Sequence, residues 1–355
     1  MRSSIFADGE GGDDWARIIA VQDRESGLRA FIVLHSLRRG PAFGGIRRRA
    51  YADQDEALAE AKALAAAMSR KCALAELAAG GGKTVILDHP GFDPEAGYRA
   101  LGVAIDELGG RYVCGPDVGT GEAELALLRS RCRFVNPVEN DAGRSTAAGV
   151  LAGLRGLSRV VFAGEGLGGR RYVIQGLGAV GGALAAALVA GGGEVSGWDP
   201  DPQARERAAA LGVRILADGE AVLREPCEVF MPCALGGVLT PERCAQAPWR
   251  AICGSANNQF PAATEAEAQE ILHRRGVIWA PDVVVNAGAV IEGVETVLGD
   301  GAAGEGAARA RVAAAIDAIA DRCATILARA RAEARPPGAV AHDLALARLD
   351  GSAGA

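Results

Sequence analysis

Only three lysines, Lys62, Lys71 and Lys83, occur among the 38 basic residues of this 355-residue chain, and two of them stand twelve residues apart in "SRKCALAELAAGGGKTVIL". A guanidinium stays protonated at physiological pH. A lysine amine, ordinarily near ~10.4, can be brought by burial or a neighbouring cation towards the ~7–8 that suits a general base. A second lysine close by is one way to produce that shift. One of the pair, Lys83, could then shed a proton while Lys71 stays a compact cation for an anionic substrate; as plain surface lysines they would do neither. A carboxylate to trade protons with is available in "CGPDVGT". There Asp117 ends a β-prone run, with Gly115 and Pro116 shaping the backbone, and it could equally cap a helix opening at Gly121. "AGGGKT" invites a phosphate-loop reading, but that pattern needs glycine at position 77, which is Leu77, so nucleotide hydrolysis is unsupported.

A second chemistry is written in "YVIQGLGAVGG". Gly176, Gly178 and Gly181 follow an apolar strand and open an alanine-rich helix. Their roles would be a tight turn, close backbone approach to a pyrophosphate, and close helix–strand packing, with the anion on the helix N-terminus. The next apolar run, "EVSGW", leads to Asp199, 23 residues after the first glycine, where a carboxylate would accept ribose hydroxyls and repel a 2′-phosphate. NAD is therefore expected over NADP. Arg205 and Arg207 read as helix-surface charges.

These residues need elements to hold them. "ARIIAVQD" and "LRAFIVLHS" read as a hairpin turning at Gly27, and "DQDEALAEAKALAAAMSRKCALAEL" as a long helix ending near Lys71. "KTVILDH" reads as a buried strand beginning after three glycines. A helix over 94–108, the strand "RYVCG" and a helix from Gly121 continue the alternation of an α/β sheet. The turn-rich "NPVEND" marks a boundary, giving domains 1–138 and 139–334, with a tail 335–355 that folds back on the first or frays. In the second domain "CEVFMPC", "AICGS" and "GVIWAPDVVVN" read as strands, and residues 302–334 as one unbroken helix.

Composition narrows the classes. Hydrophobic residues make up 49% and charged residues 23%, as in globular proteins, and a net charge of −6 argues against a nucleic-acid partner. "RRR" at 47–49 reads as a solvated or ion-paired face. The first fifteen residues hold acids and no apolar core, so no secretory leader is expected, and no apolar run is long enough for a bilayer. Eight scattered cysteines without a C-x-x-C pair, and four histidines away from them, imply reduced thiols in a cytoplasmic setting with no metal site.

Together the segments "VQDRESGLRAFIVLH", "GPAFGGIRRRAY", "GGGKTVI", "GPDVGT", "GLGAVG", "PCALGGVLT", "GSANNQF" and "APDVVVNAGAVIEG" resemble the glutamate/leucine/phenylalanine/valine dehydrogenase family, closest to its leucine and phenylalanine members. The resemblance spans nearly the whole chain. It implies an N-terminal α/β substrate and oligomerisation domain, a Rossmann NAD-binding domain, a cleft between them, and a homo-oligomer that binds neither nucleic acid nor membrane. The implied reaction is NAD-dependent oxidative deamination of an L-amino acid to the 2-oxo acid and ammonia, and its reverse. By position, Lys71 corresponds to the lysine that binds the α-carboxylate, Lys83 to the base towards water, and Asp117 to the acid/base on the amino nitrogen. Gly44, Gly45 and Pro116 would line the substrate cleft, and Asn258 would meet the substrate carboxylate. Thr146, Ala179, Val180, Ala234, Asn257 and Asn286 would join the glycines and Asp199 at the cofactor. "GRS" before Thr146 departs from the family's proline-bearing approach.

Phe43 stands where glutamate-specific members carry a lysine, so a glutamate side chain would bury an unpaired charge. Gly115 and Gly293 replace larger residues of leucine-type members. With Phe43 and Val290 they predict an enlarged apolar pocket for an aromatic substrate such as phenylalanine; a leucine or valine enzyme is the alternative. A catalytically silent NAD-binding protein would need neither lysines nor Asp117. A hydroxy-acid dehydrogenase would want a histidine base, and His35, His89, His273 and His342 lie in no motif that suggests one.

Overall fold

The computed structural model describes residues 15–137, 140–299 and 304–350. They fall into two compact units. The first draws on Met1–Asn140, Val290–Ala308 and Ala345–Ala355, the second on Asp141–Ala289 and Arg309–Leu344.

In the first unit β1 (Arg17–Asp23) and β2 (Leu28–Leu34) form an antiparallel hairpin, with Gly27 at φ 71° in its turn. There follow β3 (Ala42–Arg49), α1 (Gln54–Leu74), β4 (Gly80–Leu87), α2 (Pro94–Asp106), β5 (Tyr112–Gly115) and α3 (Glu122–Arg129). The sheet order is β1-β2-β4-β3-β5. β4 runs antiparallel to β2, while β3 runs parallel to both β4 and β5. Asp53 caps α1 by accepting from the Glu56 N–H at 2.8 Å. The small residues Ala57, Ala61 and Ala65 then let α1 lie close against Val33 and Val85. The other face of the sheet buries Ile32, Ile46 and Ile86 against Tyr98, Leu101, Ile105, Leu125 and Leu128 of α2 and α3. Each large side chain so buried stabilises by ~1.5–3 kcal/mol.

The three glycines expected to precede the strand lie inside it. A Cβ on Gly81 would stand 2.5 Å from the Ala65 carbonyl oxygen and nearer still to the Ser69 nitrogen. The glycines are therefore what lets α1 reach the strand. Lys83 consequently sits in mid-strand, not at its start.

The second unit contains α4 (Ala142–Val161), β6 (Arg171–Gln175), α5 (Ala179–Ala190), β7 (Glu194–Trp198), α6 (Pro202–Ala210), β8 (Arg214–Ile215) and α7 (Gly219–Arg224). It continues with β9 (Cys227–Pro232), α8 (Pro241–Gln246), β10 (Trp249–Ile252), α9 (Glu265–Arg274), β11 (Ile278–Trp279) and α10 (Asp282–Val285). The sheet is parallel throughout, in the order β11-β10-β9-β6-β7-β8. This is the doubly wound Rossmann arrangement, with the order reversing between β6 and β9; in such sheets ligands bind outside the carboxyl ends of the strands at that point.

Three expectations need correction. Only Ile278–Trp279 of "GVIWAPDVVVN" is strand. Pro281 starts a helical turn that takes the valines, with Val284 and Val285 buried, so tertiary packing overrides their β-propensity. The alanine-rich run is two helices, α12 (Gly304–Asp317) and α13 (Ile319–Ala332), separated at Ala318. Arg322 donates to the Ala315 carbonyl at 3.3 Å across that break, taking up an acceptor the backbone leaves. The segment 290–308 groups with the first unit, although the sequence reading placed it in 139–334. It includes most of α11 (Gly288–Leu298). The tail forms α14 (Pro337–Leu349), whose Arg348 donates to the Leu74 carbonyl at 3.0 Å and pairs with Glu76 at 2.5 Å. No helix of the described residues is long and apolar enough to cross a membrane.

Candidate active site

Alternation along β3 and β4 puts Phe43, Gly45 and Arg47 on the same sheet face as Gly81, Lys83 and Val85, the face that α1 covers. Lys83 is 6% exposed, and its Nζ donates to Oδ2 of Asp117. Asp117 follows β5 and pairs with Thr120 across a tight turn. It caps no helix: the residue before α3 is Gly121, whose N–H donates to the Glu124 side chain at 2.9 Å. Its Oδ1 instead accepts from the Val118 N–H at 2.7 Å. Arg47 grips both carboxylate oxygens, Nε to Oδ2 and Nη2 to Oδ1, each at 3.2 Å. The third arm of Arg47 donates to Glu60 of α1 at 2.8 Å, and Glu60 is held in turn by the Tyr51 hydroxyl and by Arg49 at 3.4 Å.

Gly45 makes room for this cluster. A Cβ there would lie 2.5 Å from the Pro116 carbonyl and 2.9 Å from the Asp117 Cβ. Gly44 backs onto the Gly82 carbonyl in the same way, and its own carbonyl accepts from the Tyr112 hydroxyl at 3.1 Å. Burial pushes the Lys83 amine below the usual lysine value, and the Asp117 carboxylate opposes it without winning. Burial raises the Asp117 carboxyl, but Lys83 and then Arg47 outweigh that and hold it below the usual carboxylate value. A second lysine is one way to produce such a shift; burial is the largest cause here. Desolvation does most of it, and the added cation is Arg47. Lys71 lies in the last turn of α1, half-buried, at the end of the helix that runs along the strand carrying Lys83.

The apolar wall differs from expectation at one position. A Cβ on Gly293 would stand 2.5 Å from Cζ of Phe43 and 3.1 Å from Oδ1 of Asn136, so the Phe43 ring already fills that space. Gly293 leaves no hollow. At Gly115 a Cβ would meet only Asn136, at an ordinary 3.6 Å, so room does exist there. Val290 precedes Gly293 by one turn of α11 and is half-buried. Asn136 is buried and accepts from the Asn140 amide at 2.9 Å.

At the β6–α5 junction Gly176 adopts φ 91°, where a Cβ would press on Ala234 at 2.9 Å, and a Cβ on Gly181 would collide with the Gly176 carbonyl. Gly178 caps α5 with nothing within 4 Å of its Cβ direction, and Ala179 beside it is exposed. The N-terminus of this twelve-residue helix thus carries no side chain at its cap, which suits the close approach of a pyrophosphate. Asp199 holds the loop by accepting from the Leu177 N–H at 2.7 Å. Arg205 is a half-buried charge on α6 that donates to the Asp199 and Pro200 carbonyls at 2.6 and 3.0 Å; Arg207 is exposed near Asp201 at 3.7 Å.

The nicotinamide-end candidates also gather in this unit. Gly143, one turn before Thr146, faces Ala179, and Gly288 packs on the Thr146 nitrogen. Asn286 is buried and donates to Asn257 at 2.8 Å and to the Ser255 carbonyl at 3.2 Å. Its Oδ1 is buried with no protein partner among the described residues, an acceptor suited to the hydroxyl or amide donors of a dinucleotide. Asn258 is exposed at φ 50°, its N–H held by Asp282 at 2.7 Å. These residues fit NAD. Among the described residues no three His, Cys, Asp or Glu side chains are placed to hold a metal.

Residues 16–133 match the family model for the Glu/Leu/Phe/Val dehydrogenase dimerisation domain, and residues 204–335 match that for Glutamate/Leucine/Phenylalanine/Valine dehydrogenase. The chain belongs to this family. It is 33% identical over 344 residues to leucine dehydrogenase of Geobacillus stearothermophilus, covering 95% of this chain and 91% of that protein. It is 35% identical over 296 residues to phenylalanine dehydrogenase of Bacillus thermotolerans, covering 80% and 76%. The crystal structure of L-tryptophan dehydrogenase from Nostoc punctiforme superposes with a TM-score of 0.83 at 26% identity, over 96% of this chain and 97% of that one. The protein is thus an NAD-dependent amino-acid dehydrogenase, an oxidoreductase acting on a CH–NH2 group.

Sequence reasoning missed Arg47, Glu60, Tyr51 and Asn136. The ion-paired reading of residues 47–49 does hold: Arg47 pairs with Asp117 and Glu60, Arg48 with Asp88 at 3.8 Å, and Arg49 with Glu56 at 2.9 Å. Strand alternation was the one signal that could have singled out Arg47, since it turns residue 47 inward with Phe43 and Gly45.

Proposed function

We propose that the enzyme oxidatively deaminates an apolar L-amino acid, with an aromatic one of phenylalanine type preferred, and runs the reverse amination. What supports this reading is the buried Lys83 amine paired with Asp117, on the sheet face that also presents Phe43 where a glutamate side chain would need a cation. Room beside Gly115 supports the aromatic preference.

In this reading Lys71 holds the α-carboxylate, in a cleft that Gly44, Gly45 and Pro116 line, and Asp117 accepts a proton from the substrate ammonium. NAD, when bound, supplies the acceptor for the hydride leaving Cα. The backbone of Gly176, Gly178, Ala179, Val180 and Gly181 would hold its pyrophosphate and Asp199 its ribose hydroxyls. Thr146, Ala234, Asn257 and Asn286 would hold its nicotinamide end. The neutral Lys83 amine then takes a proton from the water that adds to the iminium carbon, giving a carbinolamine. Asp117 returns its proton to the nitrogen, the C–N bond breaks as ammonia leaves, and the hydroxyl proton passes to that ammonia as the oxygen becomes the 2-oxo group; Lys83 then releases its own proton to solvent. General acid–base steps of this kind contribute about 10²–10⁴-fold each. Asn258 is assigned to the substrate carboxylate.

A leucine or valine preference is the second reading, and the Phe43 ring beside Gly293 favours it because the pocket is not enlarged there. Initial rates of NADH formation on a panel of L-amino acids, with NAD and with NADP, separate the two. No NADH from any of them would leave a silent NAD-binding protein. The dimerisation description of residues 16–133 supports a homo-oligomer, and eight unpaired cysteines support a reducing, cytoplasmic setting.

A further inference from the structure

We propose that Arg47 is the positioning residue that carries the Asp117 charge, so that Lys83 can give up its proton without stranding a half-buried carboxylate. Four charged groups meet in this cluster: Lys83 on β4, Arg47 on β3, Asp117 after β5 and Glu60 on α1. Protonated, the set is neutral, with two cations and two anions. If Lys83 were the sole partner of Asp117, removing its proton would leave an unpaired carboxylate that is 17% exposed, and the proton would be pinned on the lysine. The guanidinium prevents this. It spans both carboxylate oxygens in a fork, and it stays protonated at every working pH.

Arg47 is itself fixed. Glu60 takes its remaining arm, and Glu60 is tied by Arg49 and by Tyr51, whose hydroxyl burial and then Glu60 keep protonated. On the opposite sheet face Tyr112, bonded to Thr84 and the Gly44 carbonyl, is held neutral chiefly by burial and adds no charge. Arg47 is thus a cation that shares Asp117 with the working amine and never touches the substrate in this scheme. It acts through Asp117 and, by like-charge repulsion, on Lys83 directly.

The scarcity of lysine makes the test direct. With 13Cε-lysine labelling the protein carries three signals, and Lys83→Met identifies the one from Lys83. In Arg47→Ala the Lys83 midpoint should move up by roughly one pH unit, because a repelling cation is gone and Asp117 is left to the lysine alone. Millimolar guanidinium should bring it back, and urea at the same concentration should not. Arg47→Lys, a point charge without the fork, should recover only part. The kinetic arm rests on the proposed deamination. There kcat at neutral pH should fall by up to about tenfold, the loss that a one-unit shift allows, with far less loss at high pH and little change in KM for NAD.

An unmoved or lowered Lys83 midpoint in a folded Arg47→Ala protein overturns the inference. So does a kcat loss of equal size at every pH. If the wild type makes no NADH at all, the function proposed above fails while the titration still decides this one.

Discussion

The two units hold their chemistry in opposite ways. In the first, a buried lysine meets half-buried charged side chains from a neighbouring strand, a turn and a helix, paired and neutral as a set. In the second, the dinucleotide loop is nearly bare backbone: nothing lies within 4 Å of a Cβ on Gly178, and the Asp199 carboxylate is spent partly on the Leu177 N–H. The difference follows from the tasks. Moving a proton needs groups whose protonation states lie close in energy, which burial supplies. Holding a pyrophosphate needs N–H donors with no side chain in the way, which glycine supplies. Damage to the first unit should therefore cost rate, and damage to the second should cost cofactor affinity.

The largest effect that would break this contrast lies at Lys83. Lys83→Met should lower kcat by about 10²–10⁴-fold, and Lys83→Arg should not restore it, because guanidinium keeps its proton. NAD binding, measured by calorimetry, should be unchanged in both. A normal kcat in Lys83→Arg would remove the lysine from proton transfer. In the second unit, Asp199→Ser should cut the preference for NAD over NADP by about tenfold or more, read as the ratio of kcat/KM values, with kcat on NAD little altered. Arg205, anchored on the Asp199 and Pro200 carbonyls, already stands beside that position.

A pH profile sharpens the first half. Lys83 must be neutral to accept a proton, so kcat/KM should rise with pH on the acid side and level off at the Lys83 midpoint, which lies below the ordinary 10.5 because burial disfavours the cation. A plateau only above that value would contradict the buried amine. The smallest effect concerns the wall. Gly293→Val should destabilise by about 1–3 kcal/mol, because it drives into the Phe43 ring, and Phe43→Leu in the same chain should recover part of it. Gly115→Ala should cost less than Gly293→Val in thermal melts and should alter the ranking of apolar substrates.

Much of the site was legible because its pieces are local. A turn, a glycine spacing and a carboxylate at the next strand end all lie within 24 residues, so the dinucleotide loop could be read without knowing what packs against it. Lys83 and Asp117 were also found, as rare or well-placed residue types. Their contact was not, since 34 residues separate them and only the pairing of β3 with both β4 and β5 closes that gap. The errors share this cause. Gly293 looked like an empty wall because nothing in the sequence says that Phe43, 250 positions earlier, fills it. The valines of "APDVVVN" looked like strand because propensity cannot see Pro281 starting a turn over a buried surface.

By itself, then, the order of residues determined which groups could do chemistry: an amine able to lose a proton, an acid at a strand end, and glycines that clear a phosphate site. Tertiary structure alone decided the charge state in which those groups work. That state depends on burial and on which cation stands beside which carboxylate, and the cation proved to be Arg47, brought to Asp117 from 70 residues away by a neighbouring strand. Desolvation and Coulomb energy act through space, and only the fold sets those distances.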